Sequence, residues 1–439
     1  MMSIKKILSH RLILFVCVVV VYLSAPVVQL LDSKYSLVVS QNLIEHNTFK
    51  LDRYFPGVKD FNAIEVPHGM VVVNNHVYYF FPDGPSVLSI PYVAVMKLFG
   101  LHPIDLEKGW DKDVEVRLQR GLAALLTAGI VTVIYSIARY YLPIWLSLTI
   151  SLVFAFCSSL FISASRAVWS LTWGTFLLSL ALWLLVRAER NGKLNPILLA
   201  SLLSWGYFSK PTFSTSIMAV TVYMLLYHRD RILPYVVTGA GWGLAFFGYS
   251  YYNFGKMLPI YYSLPLFKNE SGFWEGVAGA LVSPSRGLLV YSPFLVVTFW
   301  LLVRHCKILA SLRLAVLSLA VFVLHTVIVA ASPNWWGGHC YGPRLMTDAL
   351  PWLALLTILA FEAAQRAQAP TAPNRAVPYP FSRWIALFML PLIAFSFFVH
   401  YRGAFSNKVH SWNVSPDYIS YNSPRMWDWR DAQFLRGLK

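Results

Sequence analysis

The chain has 439 residues, 57% of them hydrophobic and only 13% charged. That balance excludes a soluble globular domain of this size and leaves a polytopic membrane protein. The excess of 36 basic over 20 acidic residues, +16 in all, sits in loops that suit the positive-inside rule and anionic headgroups. No basic stripe interleaved with stacking aromatics accompanies it, which argues against nucleic acid as a partner.

Lys5, Lys6 and Arg11 precede an apolar run from Leu12 to Leu31, about 20 residues and enough to cross a bilayer once. Ser24-Ala25-Pro26 offers small residues for cleavage, but the apolar core is long for a signal peptide and Pro26 sits badly for it. The run is therefore expected as a retained first span with a cytoplasmic N-terminus. Further spans are expected near 118–138, 144–164, 168–186, 195–209, 211–227, 232–253, 287–303, 308–331, 344–364 and 384–401. With the first, that makes about eleven transmembrane helices in an all-α protein.

Ser86 to Leu101 is short for a span and contains Pro91 and Lys97, so it reads as a helix lying in the interface. Leaving it uncrossed puts Arg187/Arg190/Lys193, Arg229/Arg231, Arg304/Lys307 and Arg366/Arg375/Arg383 all in the cytoplasm, as the Lys/Arg bias prefers. Residues 32–117 then form one long extracytoplasmic loop holding 11 of the 20 acidic residues. Residues 1–401 make a single integral domain, and 402–439 an extracytoplasmic tail. The Pro-rich segment 371–383 is expected as a cytoplasmic linker. No internal repeat of the kind many secondary transporters carry is present. Cys17, Cys157, Cys306 and Cys340 match no zinc or redox spacing, and only Cys340 falls outside.

Two constellations carry chemistry. Asp32 stands at the outer end of the first span, and Asp83 precedes the interfacial helix in "VYYFFPDGPSVL". A carboxylate flanked by apolar groups yet facing water suits a general base, since partial burial tunes its pKa. Span exit and turn formation are the alternative roles for these two acids. The second is a rim of cations at the outer ends of the spans: Arg117 and Arg120, then Arg166, Lys210, Arg286 and Arg344. Cations oppose the helix dipole there, so each either snorkels to lipid phosphates or binds a phosphate. Arg166, Lys210, Arg286 and Arg344 are the phosphate-binding candidates, with a local ion pair to Asp348 as the alternative for Arg344.

The turn "NWWGGHCYGPRLMTDALP", Asn334 to Pro351, concentrates further candidates. His339 is a surface residue or a ligand. Trp335, Trp336 and Tyr341 are interfacial aromatics or platforms for a sugar ring. No P-loop, GxSxG, HExxH or well-placed GxGxxG occurs.

The order of "LLDSKYSLVVSQNLIEHNTFKLD", "YYFFPDGPSVL", "SASRAVWS", "YYNFGKMLP", "SPSRGLLVYSPF" and "WWGGHCYGPRLMTDALP" resembles the bacterial GT-C membrane glycosyltransferases. Their relatives include the protein O-mannosyltransferases and the lipid A aminoarabinose transferases. The resemblance covers about residues 1–400 and lies in the order of the motifs. It implies a GT-C-like bundle in the bacterial inner membrane. It also implies a polyprenyl-phosphate-linked sugar donor, a cell-envelope glycan, lipid or protein acceptor, and Asp32 as the catalytic carboxylate. Two departures stand out: Asp32-Ser33 replaces the Asp-Glu pair of the mannosyltransferases, and Phe81-Pro82-Asp83-Gly84-Pro85 replaces a Lys- or His-Pro-Pro signature. The expected chemistry is one inverting displacement, with Asp32 as base and rim cations on the leaving phosphate. No cofactor is expected with certainty; a divalent metal, which some relatives use, stays open. A polyprenyl-linked glycan flippase is the rival, although its ionisable residues would be expected at mid-membrane.

Overall fold

The computed structural model describes residues 4–60, 66–263, 272–368 and 383–438. The expected linker at 371–383 lies, but for Arg383, outside them. Each expected span contains helix. Among the described residues, six helices are long and apolar enough to cross a membrane: 112–138, 170–191, 229–254, 313–331, 344–367 and 387–405. Others are shorter, and two departures have visible causes. The first helix, α1 (Ile4–Ser24), stops seven residues before Leu31, because Ala25-Pro26 forces extended backbone. The stretch 287–303 divides at Ser292-Pro293 into short helices, Leu288–Tyr291 and Leu295–Arg304.

The first loop is a small layer of its own. After a turn at 30–34, α2 (Ser36–His46) runs over two short helices, α3 (Gly84–Leu88) and α4 (Ile90–Leu98). These two are the form taken by the expected interfacial segment. Between them lies a hairpin, β1 (Met70–Val73) paired antiparallel with β2 (His76–Tyr79), Val73 opposite His76. Asn74 and Asn75 close it with positive φ at both positions, as a two-residue turn matching strand twist requires.

The long helices follow as α5 (Lys112–Ala138), α6 (Ile144–Phe156), α7 (Ser170–Asn191), α8 (Pro196–Ser209), α9 (Ser214–Tyr227) and α10 (Ile232–Phe254). After α11 (Phe273–Val282) and the divided stretch come the helices here numbered α12 (Arg313–Ala331), α13 (Leu350–Gln368) and α14 (Arg383–Phe405). α13 is apolar on all sides and almost wholly buried, which makes it the central helix. α10 is apolar yet mostly exposed along its length, as expected of a helix facing lipid.

Side-chain bonds sort the helix ends into two sets. At one end Glu362 takes Arg190 at 2.9 Å and Arg366 at 2.8 Å, and Arg231 donates to the Gly192 and Leu194 carbonyls. The opposite end gathers Asp32, Arg344, Lys210 and the first-loop layer. The residues after Tyr401, expected as a tail, fold back onto this end. Trp412, Ile419 and Met426 bury with Trp335, and Gln433 accepts from the Gly342 amide and donates to the Cys340 carbonyl.

Candidate active site

Asp32 is held through its backbone. Gln29 bonds the Ile162 carbonyl at 2.8 Å and Gln119 bonds that of Ser33 at 2.7 Å. The Lys34 amide closes the turn on Leu30 at 2.8 Å, and the Tyr79 hydroxyl donates to the carbonyl of Asp32 itself. With its main chain fixed from three directions, the Asp32 carboxylate projects toward one partner.

That partner is Arg344. Its Nη1 lies 2.8 Å from Asp32 Oδ2, and its guanidinium stacks 4.4 Å from the Trp169 ring centroid. Gly342 makes the approach possible: it has φ +64°, and a Cβ there would meet Tyr291 at 2.8 Å. The two side chains keep 29% and 14% exposure, so a ligand can still reach them. The alternative pairing of Arg344 with Asp348 is not formed. Asp348 instead takes Lys210 at 2.5 Å and Thr212 at 3.1 Å, in a buried cluster one turn further along. Lys210 is thus already neutralised.

Two other rim cations change role. Arg166 is 1% exposed and donates to the carbonyls of Tyr22 (2.7 Å) and Ala25 (3.1 Å) and to the Ser165 hydroxyl. Arg286 is 2% exposed and bonds the Trp336 and Ser285 carbonyls, Asn413 Oδ1 and Gln433 Oε1. Buried cations must be satisfied internally, and these two tie loops to helices. Neither presents its fork to a phosphate. Arg117 and Arg120 do not join the pair either; Arg120 bonds the Leu23 and Ala25 carbonyls.

Asp83 lies in a separate cavity of about 290 Å³, among Tyr79, Phe81, Phe208, Phe246, Tyr249 and Tyr261. Gly84 lets α3 press on the end of α8, since a Cβ would meet the Phe208 carbonyl at 2.5 Å. The Tyr249 hydroxyl donates to Asp83 Oδ2. Burial pushes the Asp83 carboxyl up to about 7, against the downward pull of that hydrogen bond. Tyr79 joins the two acids' surroundings: it lines the Asp83 cavity and holds the Asp32 carbonyl. Tyr261, on the same wall, feels the charges of Asp32, Arg344 and Asp348. The apolar cavity and the Asp32–Arg344 pair are therefore neighbours.

His339 is half-buried, 3.2 Å from the Ser420 hydroxyl, and its pKa is lowered by burial and by Arg286. Trp335 and Tyr341 are packing residues. A Cβ on Gly279 would meet Trp335 at 2.2 Å, and the Tyr341 hydroxyl bonds the Val399 carbonyl at 2.8 Å. Trp336 packs edge-on against Trp335. Neither Trp335 nor Tyr341 is offered as an open ring face to a sugar, whereas Trp336 stays partly exposed. Asp32, Asp83 and His339 lie on three different partners, Arg344, Tyr249 and Ser420. Among the described residues no group of three or more His, Cys, Asp and Glu is placed to hold a metal.

Tyr79, Tyr249, Lys34 and Gln433 were not marked by the sequence. Each works through a contact more than 40 residues away or through a fold-dependent cavity, and no local motif announces it.

No family model matches the chain, and no curated protein matches it. Among solved structures it is similar to the crystal structure of ArnT from Cupriavidus metallidurans bound to undecaprenyl phosphate. The identity is 12%, the match covers 97% of this chain and 75% of that one, and the TM-score is 0.47. The chemistry of the site rests on this chain's own residues.

Proposed function

We propose that the chain transfers a sugar from a polyprenyl-phosphate donor to an acceptor hydroxyl at the extracytoplasmic face of a bacterial inner membrane. The carrying observation is the Asp32–Arg344 pair, accessible, beside an aromatic cavity, at the end of the bundle opposite the Glu362 cluster. Arg190, Arg366, Arg231 and Arg313 gather at that opposite end, which supports its assignment to the cytoplasm. The N-terminus is then cytoplasmic and the C-terminal segment outside.

The pair also suggests how the reaction is ordered. A donor phosphate is a bidentate partner for a guanidinium and draws Arg344 away from Asp32. The released carboxylate takes the acceptor hydroxyl proton as the oxygen bonds to the anomeric carbon. The bond from the anomeric carbon to the bridging phosphate oxygen breaks, and its electron pair leaves on that oxygen of the phosphate, which Arg344 stabilises. One displacement inverts the anomeric centre and needs one base, not a glycosidase pair. The apolar aromatic cavity at Asp83 is suited to a prenyl segment, while Asp83 itself stays at the cavity wall on Tyr249.

The test is transfer by the purified full chain from polyprenyl-phosphate sugars. Asp32→Asn is expected to fold and to lose transfer; a variant with wild-type turnover overturns the assignment of the base.

A further inference from the structure

The turn at 30–34 borders a second cavity, chemically unlike the aromatic one. It is wide, about 760 Å³, and its polar wall holds Lys34, His68, Trp110, Lys112, His339 and His410. No carboxylate lines it among the described residues. Glu115, on this side, is buried and accepts the Trp110 indole N–H. Lys34 is held in place: its Nζ sits 4.5 Å from the centroids of both Tyr35 and Trp110, so aromatic faces fix the ammonium without neutralising it. Lys112, the first residue of α5, is exposed at the rim. His410 Nε2 donates to the Gly403 carbonyl at 3.1 Å, and burial lowers the pKa of both His410 and His339.

Asp32 belongs to the same turn as Lys34, and Leu30, Leu31 and Lys34 line this cavity while Tyr79, bonded to Asp32, lines the other. The turn that carries Asp32 thus borders the wide cavity directly and the aromatic one through Tyr79, and an inverting displacement needs donor and acceptor to approach from opposite sides. We infer that the wide basic cavity receives the acceptor, and that the acceptor is a glycan or glycolipid headgroup bearing an anionic group, phosphate or carboxylate, near its reacting hydroxyl. This inference rests on the transferase reading and names its second substrate class. Two ammonium groups with no ion-pair partner among the described residues, and an aromatic floor, favour an anionic polar headgroup over a neutral sugar or an apolar segment.

Binding of matched probes to the purified full chain tests it without turnover. The probes are methyl glucuronoside, methyl glucoside, glycerol phosphate and polyprenyl phosphate. The wild type is expected to bind glycerol phosphate or the glucuronoside saturably, weakening with salt, and to bind the glucoside far less. Whichever anion binds more tightly identifies phosphate or carboxylate as the recognised group. Lys34→Gln and, separately, Lys112→Gln should weaken the anionic probe at least about tenfold while leaving polyprenyl phosphate unaffected, which also reports folding. Arg344→Ala should do the reverse. Equal binding of glucoside and glucuronoside overturns the inference, as does a lysine variant that loses polyprenyl phosphate instead, since the cavity would then seat the donor. If no variant or wild type binds polyprenyl phosphate, the transferase reading itself fails, a different outcome.

Discussion

Arg344 reaches across 312 positions of sequence to place Nη1 2.8 Å from Asp32 Oδ2, while its guanidinium carbon sits over the Trp169 ring, 4.4 Å from the centroid. An acid and a cation that pair at rest, and must separate to work, respond differently to removal. Asp32→Asn should cut transfer by a factor of about 10² to 10⁴, the range of a lost general base. It should bind polyprenyl phosphate no more weakly than the wild type, because the competitor for Arg344 has gone. Arg344→Lys keeps a charge but loses the fork and the stacking, so donor binding should weaken about tenfold or more. Titration of donor binding in both variants decides it: weaker binding in Asp32→Asn would mean that the acid props up the site instead of competing within it.

Asp83 makes stability depend on pH in a set direction. Burial raises its carboxyl to about 7 from an ordinary value near 3.8. Between those values the folded chain holds a proton that the unfolded chain has lost, so folding is favoured on the acid side. That contribution is complete below the unfolded value and is lost as pH rises through about 7. The melting temperature of the wild type should therefore fall between about pH 5 and about pH 8. Asp83→Asn, which is neutral throughout and can still accept from Tyr249, should flatten that part of the profile. An unchanged slope in the variant would assign the dependence to another group.

Lys210 and Asp348 form the buried counterpart of the accessible pair, at 2.5 Å with Thr212 in support. Removing one partner strands a charge, at a cost of about 3–5 kcal/mol. Asp348→Asn should destabilise by that order, whereas Lys210→Met combined with Asp348→Asn should recover a good part of it. Thermal unfolding of the single and double variants measures the recovery. A double variant no better than the single would show that the cluster holds more than the ion pair.

Hydropathy made the helices legible because a bilayer imposes length and apolarity on each span independently of its neighbours. Asp32 and Arg344 were legible for the same reason: a charge at the end of a span is conspicuous. Their partnership was not, since Asp348 one turn after Arg344 offered a local pairing that only the buried Lys210 rules out. Arg166 and Arg286 read as open rim cations. What sequence cannot carry is which backbone carbonyls turn toward them, and Gln433, which accepts from Arg286, sits 147 residues away. The division at Ser292-Pro293 was written in the proline but masked by the apolar residues on either side.

Trp335 separates a packing role from a sugar platform. It is 2% exposed, wedged against Gly279 and Trp427. Gly279→Ala would drive a methyl group to within 2.2 Å of its ring, and overpacking of this kind costs about 1–3 kcal/mol. Trp335→Ala removes the ring and should cost about 3–5 kcal/mol. Both losses should appear in thermal stability. The transfer rate per folded molecule, and its dependence on acceptor concentration, should stay near wild type in either variant. A rise in acceptor KM in Trp335→Ala at unchanged stability would put the indole back at the substrate, because a buried wedge cannot be removed without loosening what it holds.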